Sequence, residues 1–106
     1  DKKLIFLPKI PNYATHNAPA FYIICNNIKI RTALQKQLKQ KNIHAPFHYL
    51  SLHNSIYFKN KHDSRNLPNS DKFTNCLLRL PLFYELKTTE VNYICDCIHS
   101  FFIQKK

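Results

Sequence analysis

Glycine is absent from this chain, where an average globular protein has about 7%. Neither a P-loop nor a dinucleotide fingerprint can be built without it, so the chain carries no phosphate cradle of either kind. Tight turns and helix C-caps must then fall to Asn, Asp or another residue that tolerates positive φ. Asparagine is abundant, at Asn26, Asn27, Asn42, Asn54, Asn60, Asn66 and Asn69. A Lys/Asn/Ile bias of this kind also arises from an AT-rich genome and needs no function. Methionine is absent too, and the first residue is Asp1; a cut piece or a processed product is expected.

Acidic side chains are scarce. Six Asp and Glu stand against sixteen Lys and Arg, a formal net charge of +10. Such a balance invites a nucleic acid or an acidic membrane as partner. The lysines, however, are spread over both ends, the first helix and the middle loop, with no arginine-rich run and no aromatic–basic motif of the RNA-recognition kind. Solvated surface charge is the favoured reading, attraction of an anionic small molecule comes second, and nucleic acid last. No apolar run approaches the ~18 residues of a spanning helix, so no membrane partner is expected. The four cysteines, at 25, 76, 95 and 97, fall mostly in apolar periodic segments, where a thiol behaves as a small hydrophobe. A reduced, cytoplasmic protein is the economical expectation.

What is present is globular: 44% hydrophobic and 21% charged residues, with eight Phe and six Tyr as large packing units. The 106 residues suffice for one compact domain. Residues 1–19, with Pro8, Pro11 and Pro19, read as an extended lead-in segment or linker, with a short apolar patch over Leu4–Leu7; residues 20–106 read as the domain proper. The run from Ala20 to Cys25 predicts a central strand. Ile30, Ala33, Leu34, Gln37 and Leu38 give helical spacing over about Lys29–Lys41, with Asn42 as a left-handed cap. Ile43 to Leu52 predicts a second strand, Ile43, Ala45, Phe47 and Tyr49 on one face and His44, His48 and Leu50 on the other, with Pro46 at an edge or a bulge. A long polar loop follows over 54–69. Ser70 or Asp71 offers a cap for a short helix through Phe73, Cys76, Leu77 and Leu80, stopped by Pro81; Leu82–Tyr84 predicts a short strand. The last helix begins near Lys87 or Thr88 and buries Val91, Ile94, Cys95, Ile98 and Phe101 or Phe102; Gln104-Lys105-Lys106 is its charged end. The fold class expected is α/β, an α+β two-layer domain with a small sheet and helices on one face.

Few constellations carry chemistry. Cys95, Cys97 and His99 tempt a metal reading, but on a helix Cys97 points about 200° from Cys95, and a structural zinc wants four ligands. No metal site is expected. Cys25 and Cys76 sit in apolar runs that make a thiol inert. His48, Tyr49 and His53 remain. They are either a surface histidine, a core aromatic and a loop histidine, or a group of ring donors that reaches a hydroxylated or phosphorylated ligand. Spacing alone leaves both readings open and favours the first.

Three blocks decide more. Thr15-His16-Asn17-Ala18-Pro19-Ala20-Phe21-Tyr22-Ile23, Ile43-His44-Ala45-Pro46-Phe47-His48-Tyr49 with Leu52-His53, and Leu77-Leu78-Arg79-Leu80-Pro81-Leu82-Phe83-Tyr84 with Leu86 resemble, in order and spacing, successive blocks of the pyridoxal-phosphate sugar aminotransferases of the DegT/DnrJ/EryC1/StrS family. The resemblance covers about residues 10–103. It implies the C-terminal small domain of a fold type I aminotransferase. The cofactor pyridoxal 5'-phosphate, its Schiff-base lysine and the Asp at its pyridinium nitrogen would then belong to a large domain of the same enzyme, and these residues alone would be inactive. The full enzyme would be a homodimer that moves an amino group from glutamate to a dTDP-linked 4-keto-6-deoxy sugar, a nucleotide-sugar substrate of cell-surface polysaccharide or lipopolysaccharide (O-antigen) biosynthesis. By matching position the resemblance places His48, Tyr49 and His53 in substrate binding, with minor roles for His16 and Asn17, and no catalytic residue here.

The sequence departs from that pattern where Ser51 replaces a usual Pro, and where Asn54-Ser55-Ile56-Tyr57-Phe58 replaces a Gly- and Pro-containing stretch. The loop over the cleft is therefore altered, and the loss of glycine throughout reads as drift, as in a degenerate or split gene. Two further readings stand beside the resemblance: a stand-alone basic module for RNA or another polyanion, and a remnant with only an interaction role.

Overall fold

The computed structural model describes residues 4–104. Strand β1 (Ile5–Phe6), strand β2 (Phe21–Cys25), helix α1 (Ile28–Gln40), helix α2 (Pro68–Cys76), strand β3 (Leu77–Leu80) and helix α3 (Thr88–Gln104) follow in order, with a 3-10 turn at Leu52–Asn54 between α1 and α2. The expected charged end at Lys105 and Lys106, and the first three residues of the lead-in, lie outside the described residues.

The β-branched and aromatic run Phe-Tyr-Ile-Ile-Cys forms β2, the middle strand of an antiparallel sheet ordered β1-β2-β3. Ile5 faces Cys25 across one edge, and Ile23 faces Leu78 across the other. The alternation of the pleat sorts the sheet into two faces. Ile23, Cys25, Leu78 and Leu80 turn inward on Leu34 and Leu38 of α1 and on Ile94, Ile98 and Phe101 of α3. Leu34, Leu38 and Leu78 are wholly buried, each worth about 1.5–3 kcal/mol by area. Tyr22, Ile24 and Arg79 lie on the opposite face and are half-buried.

The missing glycines are replaced in three ways. Asn27 starts α1, its Oδ1 accepting from the Ile30 N–H at 3.0 Å. Asn42 ends it at φ 59°. There the Ile43 N–H donates to Leu38 O at 2.9 Å and the Asn42 N–H to Lys39 O at 3.1 Å, a Schellman motif closed by burial of Ile43 beside Leu38. Ala18 and Ser64 also take positive φ, 50° and 63°, where a Cβ costs roughly 1–2 kcal/mol. Neither was expected from the sequence.

Four expectations need correction. Ile43–Leu52 is not a strand; it runs extended beside β3, and Pro46, which has no N–H, accepts one bond from the Arg79 N–H at 2.8 Å. Helix α2 begins two residues before Ser70, because Pro68 at its first turn pre-sets φ. It also ends at Cys76, not at Pro81: Leu77–Leu80 is the strand β3, since pairing with β2 buries Leu77, Leu78 and Leu80 better than a helical stripe would. Leu82–Tyr84 consequently forms no strand. In α3 the buried stripe is Ile94, Cys97, Ile98 and Phe101, with Val91 and Cys95 exposed. The rest held: the small sheet with helices packed on it, the central strand β2, the helix expected over about 29–41 and found at Ile28–Gln40, and the final helix.

Candidate functional site

The extended segment 43–53 is fastened from both sides. Ile43 and Ala45 are buried in the core. Gln35 of α1 donates its Nε2 to Ala45 O at 2.9 Å. Arg31, one turn earlier and 8% exposed, donates Nε to Asn75 O at 3.0 Å and Nη1 to Gln35 Oε1 at 3.2 Å. Its guanidinium also lies over the Phe47 ring, 5.0 Å from the centroid. Among the described residues it has no carboxylate partner. This buried cation is neutralised by dipoles instead, chiefly the carbonyl end of α2.

Ser51 holds the other end. Its hydroxyl is 2.6 Å from Thr74 Oγ1 and 2.9 Å from Ser70 Oγ, which donates to it. Thr74 in turn donates to Tyr49 O at 2.9 Å. A hydroxyl has one proton. Since that of Thr74 goes to Tyr49, Ser51 must donate to Thr74, and the chain runs Ser70→Ser51→Thr74→Tyr49 carbonyl. Ser51 is buried, so its two hydroxyl partners satisfy a group withdrawn from water. The departure from Pro at this position is thus built into the structure by two hydroxyls of α2.

Between these anchors His48 and Tyr49 are presented together. Their peptide bond is cis, and their rings stack with centroids 4.1 Å apart and planes within 9°. Tyr49 is 72% exposed, so it is not the core aromatic that its alternation with Ile43 and Ala45 suggested. Arg79 Nη1 lies 3.4 Å from His48 Nε2. A guanidinium only donates, so Nε2 is the acceptor and the ring carries its proton on Nδ1.

His53 stands apart from that pair. Its Nε2 is 2.9 Å from Asp71 Oδ1 at the start of α2, and its ring meets that of His62 edge-on at 5.3 Å. His62 Nδ1 reaches Asp63 Oδ1 at 3.3 Å, while its Nε2 is buried without a partner. The hydrogen bonds from Arg65 to Asp63 hold that carboxyl below the usual value. A cavity of about 450 Å³ opens here, walled by Leu52, His53, Phe58, His62 and Leu67. His16 and Asn17 are exposed; His16 Nδ1 accepts from the Ala18 N–H at 2.9 Å, fixing the turn at positive φ, and the ring borders an apolar cavity of about 480 Å³ over Phe21 and Leu82. The structure therefore joins His48 to Tyr49, and leaves His53 and His16 in separate places.

Sequence reasoning gave no role to Arg79, Arg31 or Thr74. An arginine inside the apolar run Leu77–Leu80 was the available signal for the first. A cleft of about 860 Å³ runs from Arg79 past Lys41 and His44 to Leu82, Phe83 and Tyr93. Cys25 and Cys76 are buried; burial above all, and the neighbouring Cys76, push the Cys25 thiol up to about 11, with Arg31 pulling weakly the other way. No cluster of three or more His, Cys, Asp or Glu with metal-holding geometry occurs among the described residues, and no helix among them is long and apolar enough to cross a membrane.

The DegT/DnrJ/EryC1/StrS aminotransferase family model matches residues 3–99. Solved structures agree in fold. The aminotransferase TlmJ from Streptoalloteichus hindustanus superposes with TM-score 0.84 at 17% identity, over 96% of this chain and 27% of that one. A DegT DnrJ EryC1 StrS aminotransferase from Brucella abortus gives TM-score 0.77 at 24% identity, over 94% and 26%. PseC from Helicobacter pylori, an aminotransferase involved in the biosynthesis of pseudoaminic acid, gives 0.73 at 16% identity, over 80% and 24%. The chain belongs to the DegT/DnrJ/EryC1/StrS aminotransferase family. It spans about a quarter of the length of these solved relatives.

The family implies pyridoxal phosphate, and the residues present do not fit it. Every described lysine is exposed, and none is paired with a carboxylate. An imine-forming lysine is activated by desolvation in an apolar pocket, and no described lysine is buried.

Proposed function

We propose that this chain is the small C-terminal domain of a pyridoxal-phosphate-dependent sugar aminotransferase and that its segment 47–53 positions the substrate. Residues 1–19 form the lead-in and 20–106 the domain. The cofactor and its lysine reside on a large domain of the same enzyme, and the 106 residues alone do not transaminate. One observation carries this reading: the block that resembles the family's is not a free loop but is pinned through Ser51 and Thr74, so that His48 and Tyr49 face outward as one rigid stacked pair. Rigid donors on a fixed scaffold lose little entropy on binding, which suits positioning. His48, with its proton on Nδ1, orients a hydroxyl or an anion; the Tyr49 hydroxyl donates at the open rim. His53, turned to Asp71, supports the wall of the neighbouring cavity. The apolar side chains left bare around them, Leu50, Leu52, Ile56 and Tyr57, suit burial against the large domain.

The finer reading follows a resemblance of the three sequence blocks to dTDP-4-amino-4,6-dideoxygalactose transaminase. The substrate is then a dTDP-linked 4-keto-6-deoxy sugar and glutamate the donor, in a cytoplasmic homodimer that serves surface polysaccharide or lipopolysaccharide synthesis. The test is complementation with a separately expressed large domain from a relative. Restored cofactor absorbance and turnover of a keto-sugar nucleotide are expected. In that reconstituted enzyme His48→Ala and Tyr49→Phe should raise KM for the sugar nucleotide by about tenfold while the unfolding midpoint shifts little. Equal losses of stability and activity would mean that the pair is only packing.

A further inference from the structure

The chain has three arginines, and two of them are spoken for. Arg31 is held by two carbonyl-type oxygens and an aromatic face. Arg65 is forked onto Asp63, with Nε 2.8 Å from Oδ2. Arg79 alone has no carbonyl or carboxylate acceptor among the described residues. Its one side-chain partner is His48 Nε2, at a long 3.4 Å. Its backbone N–H is tied to Pro46, which fixes where the side chain starts. The residue is half-buried on β3, and its remaining N–H groups are left free to donate to a ligand.

The surroundings show what would match them. Arg79 shares its cleft with Lys41 and His44, and the only carboxylate among the lining residues is Glu90. That carboxylate already accepts from the Lys87 N–H at 2.8 Å. Apolar residues also line the cleft, Leu80, Leu82 and Ile94 among them. A guanidinium fork on a residue that lines such a cleft suits a planar or tetrahedral oxyanion, gripped in two places.

We propose that Arg79 is an oxyanion-recognition residue, taking a carboxylate or phosphate group on its guanidinium, with His48 as the adjoining ring. Two natural sources have this chemistry, the carboxylate of an amino donor and the phosphate of a sugar nucleotide. The choice between them rests on the function proposed above; the anion site itself does not.

The experiment is a titration of the protein in its full natural length with inorganic phosphate and, separately, with glutarate, followed by the Nε–H signal of Arg79 and the ring signals of His48. Saturable shifts at both residues are expected with at least one of the two anions, and the anion that binds more tightly identifies the source. Arg79→Gln should weaken that binding about tenfold or more, and Arg79→Lys should keep part of it. Should Arg79→Gln fail to fold, the Arg79→Lys variant and the pattern of wild-type shifts decide the matter. Absence of saturable shifts at Arg79 and His48 with either anion, or binding unchanged by substitution of Arg79, overturns the proposal. Anion binding without turnover in the complementation test would instead overturn the aminotransferase reading and leave this site standing.

Discussion

Arg31 and Arg79 flank the same extended segment, yet one is sealed and the other open. Arg31 sits inside, 8% exposed, and its donors end on the last turn of α2, on Gln35 and on the face of Phe47. It acts as a rivet between two helices and the segment. Arg79 sits on the outer face of β3, and among the described residues its side chain hydrogen-bonds only to His48. The same residue type thus serves stability where its donors meet oxygens of the fold, and recognition where no such oxygen is offered. Satisfaction of hydrogen bonds, more than burial, separates the two.

The comparison is most easily broken at Arg31. Arg31→Ala should destabilise the fold by about 3 kcal/mol, because it leaves the Asn75 carbonyl and Gln35 unmatched and opens a gap beside Phe47; a urea midpoint close to that of the wild type would show that the rivet is unnecessary. Next comes the hydroxyl chain. Ser51→Ala interrupts it at a buried link and should cost about 1–2 kcal/mol. It should also speed amide exchange around His48 and Tyr49, a local effect that exchange measurements separate from global loosening. Thr74→Val should do the same, and the effects of the two substitutions should not add, since either one breaks the same chain.

Cys25 offers a test of the sealed side by pH. Its folded-state pKa is raised above the ordinary 9.0 to about 11. The stability linked to this thiol is therefore fully present below pH 9 and is lost as pH rises through about 11, because the unfolded chain ionises first. Cys25→Ala should flatten the difference in unfolding free energy over that window; an unchanged slope would assign the loss to other groups. The smallest effect is expected at the open side. Arg79→Gln should shift stability by no more than about 0.5 kcal/mol, as for a side chain whose one hydrogen bond is the long one to His48. A loss as large as that at Arg31 would erase the distinction.

Legibility from sequence followed the range of the interactions. Helices α1 and α3 and strand β2 were legible because each announces itself within a few residues, by a 3.6-residue period or by a run of β-branched and aromatic residues. The cap at Asn42 was legible because few residues besides glycine and asparagine tolerate φ 59° at that place. The Cys76–Leu82 region was misread. Leu77 and Leu80 fit a helical stripe as well as a strand, and only pairing with β2 decides between them. Ile43–Leu52 alternates like a strand, but Pro46 and the lack of a second partner leave it with one ladder bond. At the site, the sequence singled out the block Phe47–His53. It did not show that His48 and Tyr49 belong together while His53 turns away to Asp71.

The sequence by itself settled composition-level questions and short-range ones. It excluded glycine-built phosphate loops, located two helices and the central strand, and carried the blocks that resemble the family. The tertiary structure alone decided which donors are satisfied. Whether Arg31 meets Asn75, forty-four residues away, or Arg79 meets only His48, thirty-one residues away, depends on how α2 and the segment 43–53 fold over β3. No local pattern encodes that meeting, because hydrogen bonds and desolvation act between side chains that are neighbours in space and strangers in sequence.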